Sequence, residues 1–206
     1  MHSAIELVAE IVQTNRAIDS LNLVVYEEAH NWRDTPISLD EAEIDFLILG
    51  LQQDQCERTI TSMSRCDFSK DKVNQIAGNL PPSKLLGLQS NVALAGGGQA
   101  QIPMMDFMCS PSPRNMERLT RLIQSLQMGK GFLLESGRSY HYYGTQLLTD
   151  AEWRAFLGKC LLMTGCADER YVGHQLVNGY CVLRLSSGRL KHHPPFVVAE
   201  ISATSM

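Results

Sequence analysis

The sequence of 206 residues has no apolar run long enough to cross a bilayer, which takes about 20 such residues. Its longest apolar stretches, such as Phe46–Leu49, cover about one helical turn. No basic segment precedes the apolar residues at the amino terminus, and Glu6 and Glu10 interrupt them, so we expect no secretory signal. These absences favour a cytoplasmic protein that does not engage a membrane.

The cysteine patterns of a disulfide framework or a zinc module are also missing. None of the six cysteines forms a Cys-x-x-Cys pair, so we expect reduced and mostly buried thiols. The alternative is a zinc site built from Cys160, Cys166, His174, His192 and His193. Scattered ligands of this kind are not specific for zinc, and core cysteines with surface histidines explain them more simply.

The chain lacks the strong positive charge of a protein that coats duplex DNA, because its net charge is −4. The charge is divided unevenly, however. Residues 1–113 carry a net charge of −8, whereas residues 114–206 carry +4. The carboxyl-terminal part is therefore compatible with ligands that bear phosphate groups.

Two common catalytic motifs are absent as well. The glycines at residues 96–98 are not followed by the Lys-Ser/Thr pair of a P-loop, and they precede a predicted strand instead of a helix, so we predict a turn. Ser136 lacks the Gly-x-Ser-x-Gly setting of a hydrolase nucleophile. Neither a P-loop enzyme nor a serine hydrolase is indicated.

The spacing of apolar residues and the turn signals predict alternating helices and strands. Helices are predicted over residues 5–18, 42–63, 71–77, 113–128, 149–163 and 169–177. Strands are predicted over residues 21–26, 99–108, 131–135, 139–143, 180–186 and 195–201. We expect an α+β (mixed α/β) fold in which helices flank an antiparallel or mixed sheet. A mostly helical region, residues 1–95, would pack on an α+β region, residues 96–206, in one compact unit.

A predicted hairpin places several phosphate-binding side chains together. Ser139 and His141 are two residues apart on a strand, so they share a face, and Arg138 lies at the turn. Hydroxyl, imidazole and guanidinium groups suit a triphosphate, although a polar hairpin that faces water would look the same. Three neighbouring tyrosines could stack on bases: Tyr140, Tyr142 and Tyr143. Because alternate residues of a strand point to opposite faces, we expect one or two of them to belong to the core.

Two aspartates stand at the ends of predicted elements and could bind a metal ion. Asp106 lies near the end of a strand, and Asp168 precedes a helix. Phosphoryl and nucleotidyl transfer need acidic ligands, because Mg²⁺ prefers carboxylates and keeps water and phosphate oxygens as its other ligands. Taken alone, either residue could equally be a helix cap or a solvated turn residue.

The order of these motifs resembles the catalytic domain of the archaeo-eukaryotic primase superfamily. A strand with Asp106 is followed by a helix, the Ser-Gly-Arg-Ser-Tyr-His stretch of residues 136–141, a helix, Asp168, a helix, and a strand with Arg184. The resemblance covers residues 99–200. It implies a primase-like nucleotidyltransferase of DNA replication that uses a nucleoside triphosphate and Mg²⁺ or Mn²⁺, with single-stranded DNA or RNA as a further partner.

The resemblance also implies a role for each matching residue. Two aspartates would act in catalysis as metal ligands: Asp106 and Asp168. Four residues would bind the nucleotide: Arg138, Ser139, His141 and Arg184, the last expected to face solvent on its strand. Two residues of the following basic hairpin would contact nucleic acid: Lys191 and His192.

One position departs from the family pattern. The family pairs its first acid with a second acid two residues later, and this chain has Met108 there. A thioether is a poor ligand for a hard cation, and Glu135 is the candidate to replace the missing carboxylate. The alternative function is therefore a catalytically inactive primase-like module that binds nucleotide or single-stranded nucleic acid within a larger assembly.

Overall fold

The computed structural model describes residues 2–27, 44 and 58–202. Within these residues the helices are α1 (Ala4–Thr14), α2 (Lys70–Gly78), α3 (Pro113–Ser125), α4 (Asp150–Leu161) and α5 (Glu169–Asn178). The strands are β1 (Ile18–Glu27), β2 (Thr59–Ser64), β3 (Lys84–Leu94), β4 (Gln99–Gln101), β5 (Met104–Phe107), β6 (Gly131–Glu135), β7 (Tyr140–Gly144), β8 (Val182–Arg184) and β9 (Phe196–Ile201). No helix in these ranges is long and apolar enough to cross a membrane.

The strands form two antiparallel sheets. The first has the order β2-β1-β3-β4, and β8 pairs with β3 on the same edge as β4. The second has the order β5-β7-β6-β9. With helices interspersed between the strands, this architecture confirms the predicted α+β fold.

A continuous cluster of buried apolar side chains joins both sheets to the helices. Helix α1 buries the face that carries Leu7 and Val8, and α3 buries Leu119 and Ile123. Trp153 of α4 is fully buried in the same cluster. The helical spacing of these residues is what turns one face of each helix towards the core.

The cap signals in the second half of the sequence mark helix starts in the structure. Ser112, Thr149 and Asp168 are the N-caps of α3, α4 and α5, and each side chain accepts a hydrogen bond from a backbone N–H of the first turn. The hairpin of β6 and β7 is also present as predicted. These features depend on neighbouring residues, which is why local patterns could identify them.

The expectation of a mostly helical region over residues 1–95 is wrong for its described part, which contains β1, β2 and β3. Residues 59–63, predicted as the end of a helix, belong to β2 and pair with β1. Their threonines and isoleucine favour a strand, and pairing with β1 decides the outcome. The rest of that predicted helix, apart from Ile44 and Arg58, and the capping box at residues 38–41 lie outside the described residues.

The predicted strand over residues 99–108 is two strands separated by Pro103. Proline cannot donate to a strand ladder, so the chain leaves the first sheet after β4 and joins the second sheet as β5. Further along, β8 returns to the first sheet and pairs with β3 across the predicted boundary at residues 95 and 96. The chain thus passes from one sheet to the other at both points, and β5 of the second sheet contacts β8 of the first.

Candidate functional site

A pocket of about 200 Å³ lies between the two sheets. Its walls come from both sheets, from the β6–β7 turn, from α5 and from the segment between β8 and β9. The lining residues are Tyr26, Leu85, Asp106, Ser136, Ser139, His141, Tyr171, Val182, Leu183, Arg184 and Lys191. Among them are five of the residues that the sequence analysis selected: Asp106, Ser139, His141, Arg184 and Lys191.

The pairing of β5 with β7 brings three polar side chains together. Asp106 lies directly opposite His141 in the strand register. The Ser139 hydroxyl donates a hydrogen bond of 3.3 Å to Oδ1 of Asp106. The same oxygen lies 3.7 Å from Nε2 of His141. Ser139 and His141 therefore share a face, as their spacing predicts, and that face is the one that carries Asp106.

The turn between β6 and β7 holds Ser139 in this position. Gly137 has a φ angle of 101°, in the region that favours glycine. The Ser136 N–H donates to the carbonyl of Ser139 at 2.9 Å, and the two hydroxyl oxygens are 3.0 Å apart. The turn residues thus connect the serine hydroxyls and Asp106 in one hydrogen-bonded chain.

The environment of Asp106 raises its pKa to about 7. Burial contributes most, and the negative charge of Asp168 adds to it. The positive charges of Lys191 and Arg184 and the hydrogen bond from Ser139 act in the opposite direction. The nearby carboxylate of Asp168 makes the ionised form of Asp106 less stable. A cation bound beside Asp106 would stabilise that ionised form.

His141 lies in the pocket wall as a neutral imidazole at neutral pH. Burial lowers its pKa well below the usual value, and the nearby charges of Arg184 and Lys191 lower it further. Its Nδ1 atom is buried and has no hydrogen-bond partner in the described part of the chain. A neutral imidazole can donate one hydrogen bond or offer one nitrogen lone pair to a ligand.

Asp168 reaches the neighbourhood of Asp106 through a backbone contact. An isolated antiparallel bridge joins Phe107 to Ala167, so Asp106, which precedes Phe107, and Asp168, which follows Ala167, lie near each other. Asp168 caps α5, because its Oδ1 accepts the N–H of Tyr171 at 2.8 Å. It lies outside the pocket lining, yet its charge contributes to the raised pKa of Asp106.

Arg184 does not face solvent, contrary to the expectation from its strand position. It is only 5% exposed. Its guanidinium donates to the carbonyl of Ser136 at 2.7 Å, to that of His193 at 2.9 Å and to that of Ser186. Arg184 thus joins β8 of the first sheet to the β6–β7 turn of the second sheet while it also lines the pocket.

The remaining predicted binding residues lie in different settings. Lys191 lines the pocket, whereas Arg138 and His192 are exposed and are not part of its lining. All three tyrosines are core residues, so the hypothesis that they stack on bases is wrong: Tyr140, Tyr142 and Tyr143.

Glu135 cannot replace the missing second carboxylate. It pairs with Tyr140 across the hairpin, so its side chain lies on the face opposite to that of His141. Met108 follows the end of β5 and is 45% exposed. Neither residue adds a ligand beside Asp106.

Sequence reasoning did not find several lining residues, of which Tyr26 and Tyr171 are the largest. Tyr26 is on β1 and Tyr171 is on α5, and no local motif linked either one to the polar hairpin. Gly87 makes room for Tyr26, because a Cβ atom at that position would lie 3.0 Å from the Tyr26 ring and 2.9 Å from Val182. This close approach results from the pairing of β1, β3 and β8.

The residues at the pocket fit a single Mg²⁺-like cation with few protein ligands better than a metal site in which protein side chains supply every ligand. Within residues 2–27, 44 and 58–202, no group of three or more His, Cys, Asp and Glu side chains is arranged to hold a metal ion. Asp106 lines the pocket, and Asp168 is near enough for its charge to raise the pKa of Asp106. Mg²⁺ commonly takes one or two protein carboxylates and completes its shell with water and substrate phosphates.

Comparison with known proteins assigns the chain to a class. The family model described as AEP-like, archaeo-eukaryotic primase 1D-like, matches residues 64–196, about two thirds of the chain. The matched range includes every pocket residue except Tyr26. No curated protein and no solved structure gives a significant match. The fold and the match define a primase-like domain, and the chain belongs to the archaeo-eukaryotic primase 1D-like family.

Proposed function

We propose that the pocket binds a nucleoside triphosphate together with Mg²⁺ or Mn²⁺, and that the chain is a primase-like nucleotidyltransferase. The observation that supports this most directly is the meeting of Asp106, Ser139, His141 and Lys191 around one pocket in the family-matched region. A carboxylate, a hydroxyl, an imidazole and an ammonium group together suit a metal-bound triphosphate.

Each of these residues has a distinct part in the proposed site. Asp106 and Asp168 would hold the cation, which would neutralise charge on the phosphates and favour attack at the α-phosphate. The Ser139 hydroxyl and the His141 imidazole would hydrogen-bond phosphate oxygens. Lys191 would contribute positive charge at the same place. Arg184 would act on the nucleotide through its charge, since its donors hold backbone carbonyls.

Cation binding should be coupled to proton release. Because the pKa of Asp106 is raised to about 7, this carboxyl is partly protonated at neutral pH without a cation. The ligand form is the carboxylate, so a bound cation displaces the proton. Affinity for Mn²⁺ should therefore rise as the pH increases from 6 to 8.

Titration calorimetry with Mn²⁺ and ATP tests this proposal. The native chain should bind both, and Asp106→Asn should weaken Mn²⁺ binding by at least about tenfold, since a carboxylate ligand is lost. Asp150→Asn is the matched control, because Asp150 is exposed on α4 and pairs only with Arg154 in the described part of the chain. Native affinity in the Asp106 variant, or no binding by the native chain, would refute the proposal.

A second candidate function is nucleotide binding without catalysis. The observation that favours it is Met108, where the family has a second acid, together with the position of Glu135 on the opposite face of the hairpin. Primer extension with labelled nucleotides and Mn²⁺ separates the two functions. Incorporation supports the transferase, whereas ATP and Mn²⁺ binding without incorporation supports the binding module.

A further inference from the structure

Two cysteines lie close together next to the segments that carry the two aspartates of the site. Cys109 follows β5, and Cys166 lies in the turn before α5. The bridge between Phe107 and Ala167 aligns these two segments, and the N–H of Met108 donates to the carbonyl of Cys166 at 2.7 Å. The cysteines are therefore neighbours in the fold, although they are far apart in the sequence.

The local backbone allows the two cysteine side chains to meet. In a regular ladder, alternation would direct the side chains of Cys109 and Cys166 to opposite faces. Here the chain bends at Cys109 and residues 164–166 form a turn, so neither cysteine lies in an extended strand. Both side chains pack against the same buried apolar cluster. The pKa of Cys109 is raised to about 11, mainly by burial and next by the charge of Cys166, an effect that needs the two thiols to be close.

The pair differs from the other described cysteines in its access to solvent. All five described cysteines are free thiols. Cys160 and Cys181 are 0% exposed, so an oxidant in solution does not reach them in the folded chain. Cys66 is exposed but lies after β2, in a different part of the fold. Cys109 and Cys166 combine partial exposure with proximity to another thiol.

We infer that Cys109 and Cys166 form a reversible disulfide when a disulfide oxidant such as oxidised glutathione is present. The reaction joins the two sulfur atoms. The two thiols lose two protons and two electrons, and the oxidant takes them up to become two molecules of reduced glutathione. Because the Cys109 thiol is protonated at neutral pH, we expect the exchange to take hours. In reducing compartments, disulfides of this kind are usually transient and sense redox conditions.

The disulfide would act on the site, because each cysteine is close to one of its carboxylates. Cys109 lies three residues after Asp106, whose charge contributes to the raised pKa of the thiol. Cys166 lies two residues before Asp168. A bond between the cysteines would fix the distance between the two segments that carry the aspartates, so less order would be lost when a cation binds. This effect on cation binding rests on the proposed function, whereas formation of the bond does not.

Peptide mapping after incubation with oxidised glutathione tests the disulfide. After several hours at pH 8, mass spectrometry under non-reducing conditions should find one linked peptide that contains Cys109 and Cys166. The bond closes a long loop, so the Tm should rise by about 5–10 °C relative to the reduced chain, and dithiothreitol should reverse the rise. Titration calorimetry should show Mn²⁺ binding at least about threefold tighter in the oxidised chain.

Single cysteine variants supply the controls. Cys109→Ser and Cys166→Ser should each abolish the linked peptide and the rise in Tm, whereas Cys66→Ser, which removes an exposed cysteine outside the pair, should retain both. Glutathione adducts on the native chain without the linked peptide, or a link to another cysteine, would overturn the inference. Equal Mn²⁺ affinities of the oxidised and reduced chains would overturn its effect on the site. A reduced chain that binds no Mn²⁺ would instead refute the proposed function, while the linked peptide still decides the disulfide.

Discussion

Asp106 is a carboxyl group whose surroundings destabilise its ionised form. Its pKa in the folded chain is raised to about 7, above the usual value of 3.8, so the native state holds this proton more tightly than the unfolded state. Between pH 4 and 7 the native state therefore binds more protons, and the contribution of Asp106 to stability is lost as the pH rises.

We predict that Asp106→Asn removes this pH-dependent loss. The Asp106 side chain is 33% exposed, which reduces the effect. Relative to the native chain, the variant should gain about 2 kcal/mol of unfolding free energy between pH 5 and pH 8. Urea unfolding at both pH values in EDTA measures the difference. If the two proteins keep the same difference at pH 5 and pH 8, Asp106 does not titrate in this range.

The charged side chain of Arg184 forms its hydrogen bonds with backbone carbonyls. We predict that Arg184→Ala destabilises the chain by about 3 kcal/mol, because the carbonyls of Ser136, Ser186 and His193 lose a charged donor, two of them in buried hydrogen bonds. Arg154→Ala should change stability by no more than about 0.5 kcal/mol, since Arg154 forms an exposed pair with Asp150. Urea denaturation compares the variants, and similar midpoints for the two would contradict the structural role of Arg184.

At the scale of elements, the β6–β7 turn links backbone conformation to the site. We predict that Gly137→Ala costs about 1–2 kcal/mol, because an L residue is strained at a φ angle of 101° even though open space surrounds the position. The strain should also displace Ser139 and weaken ATP binding.

Gly158→Ala is the matched control for the turn. Gly158 lies inside α4, and no described atom outside the neighbouring helix backbone lies within 4 Å of an added Cβ, so alanine should stabilise the helix by about 0.5–1 kcal/mol. Thermal unfolding and ATP titration of both variants provide the measurement. A Gly137 variant that behaves like the Gly158 variant would show that the turn does not require glycine.

The elements themselves differ in how well local patterns predicted them. Helices α3, α4 and α5 begin at the predicted caps, because a cap is a contact between residues three apart in the chain. Strand β3 was not predicted, and its sequence mixes Gly87 and Gln89 with apolar residues. Pairing with β1, β4 and β8 stabilises it there, and those partners lie far away in the sequence.

For the whole molecule, strand pairing makes the two halves of the chain dependent on each other. β8 pairs with β3. Near the amino terminus, the N–H of Ala4 donates a hydrogen bond of 2.8 Å to the carbonyl of Pro195. We predict that a fragment of residues 96–206 does not fold alone, because β4 and β8 would lose the strand that joins them. Circular dichroism during heating should show no cooperative transition for the fragment and one for the full chain. A cooperative fragment would instead support two separable domains.

By itself the sequence determined the hairpin, the caps and the shared face of Ser139 and His141, because these depend on contacts between near neighbours and on the alternation of a strand. The order of its motifs also identified the family. Only the tertiary structure decided that Asp168 comes close to Asp106, that Arg184 is buried against three carbonyls and that Tyr26 lines the pocket. Those outcomes depend on which strands pair across the two sheets, and the free energy of that pairing is spread over contacts between residues distant in the chain.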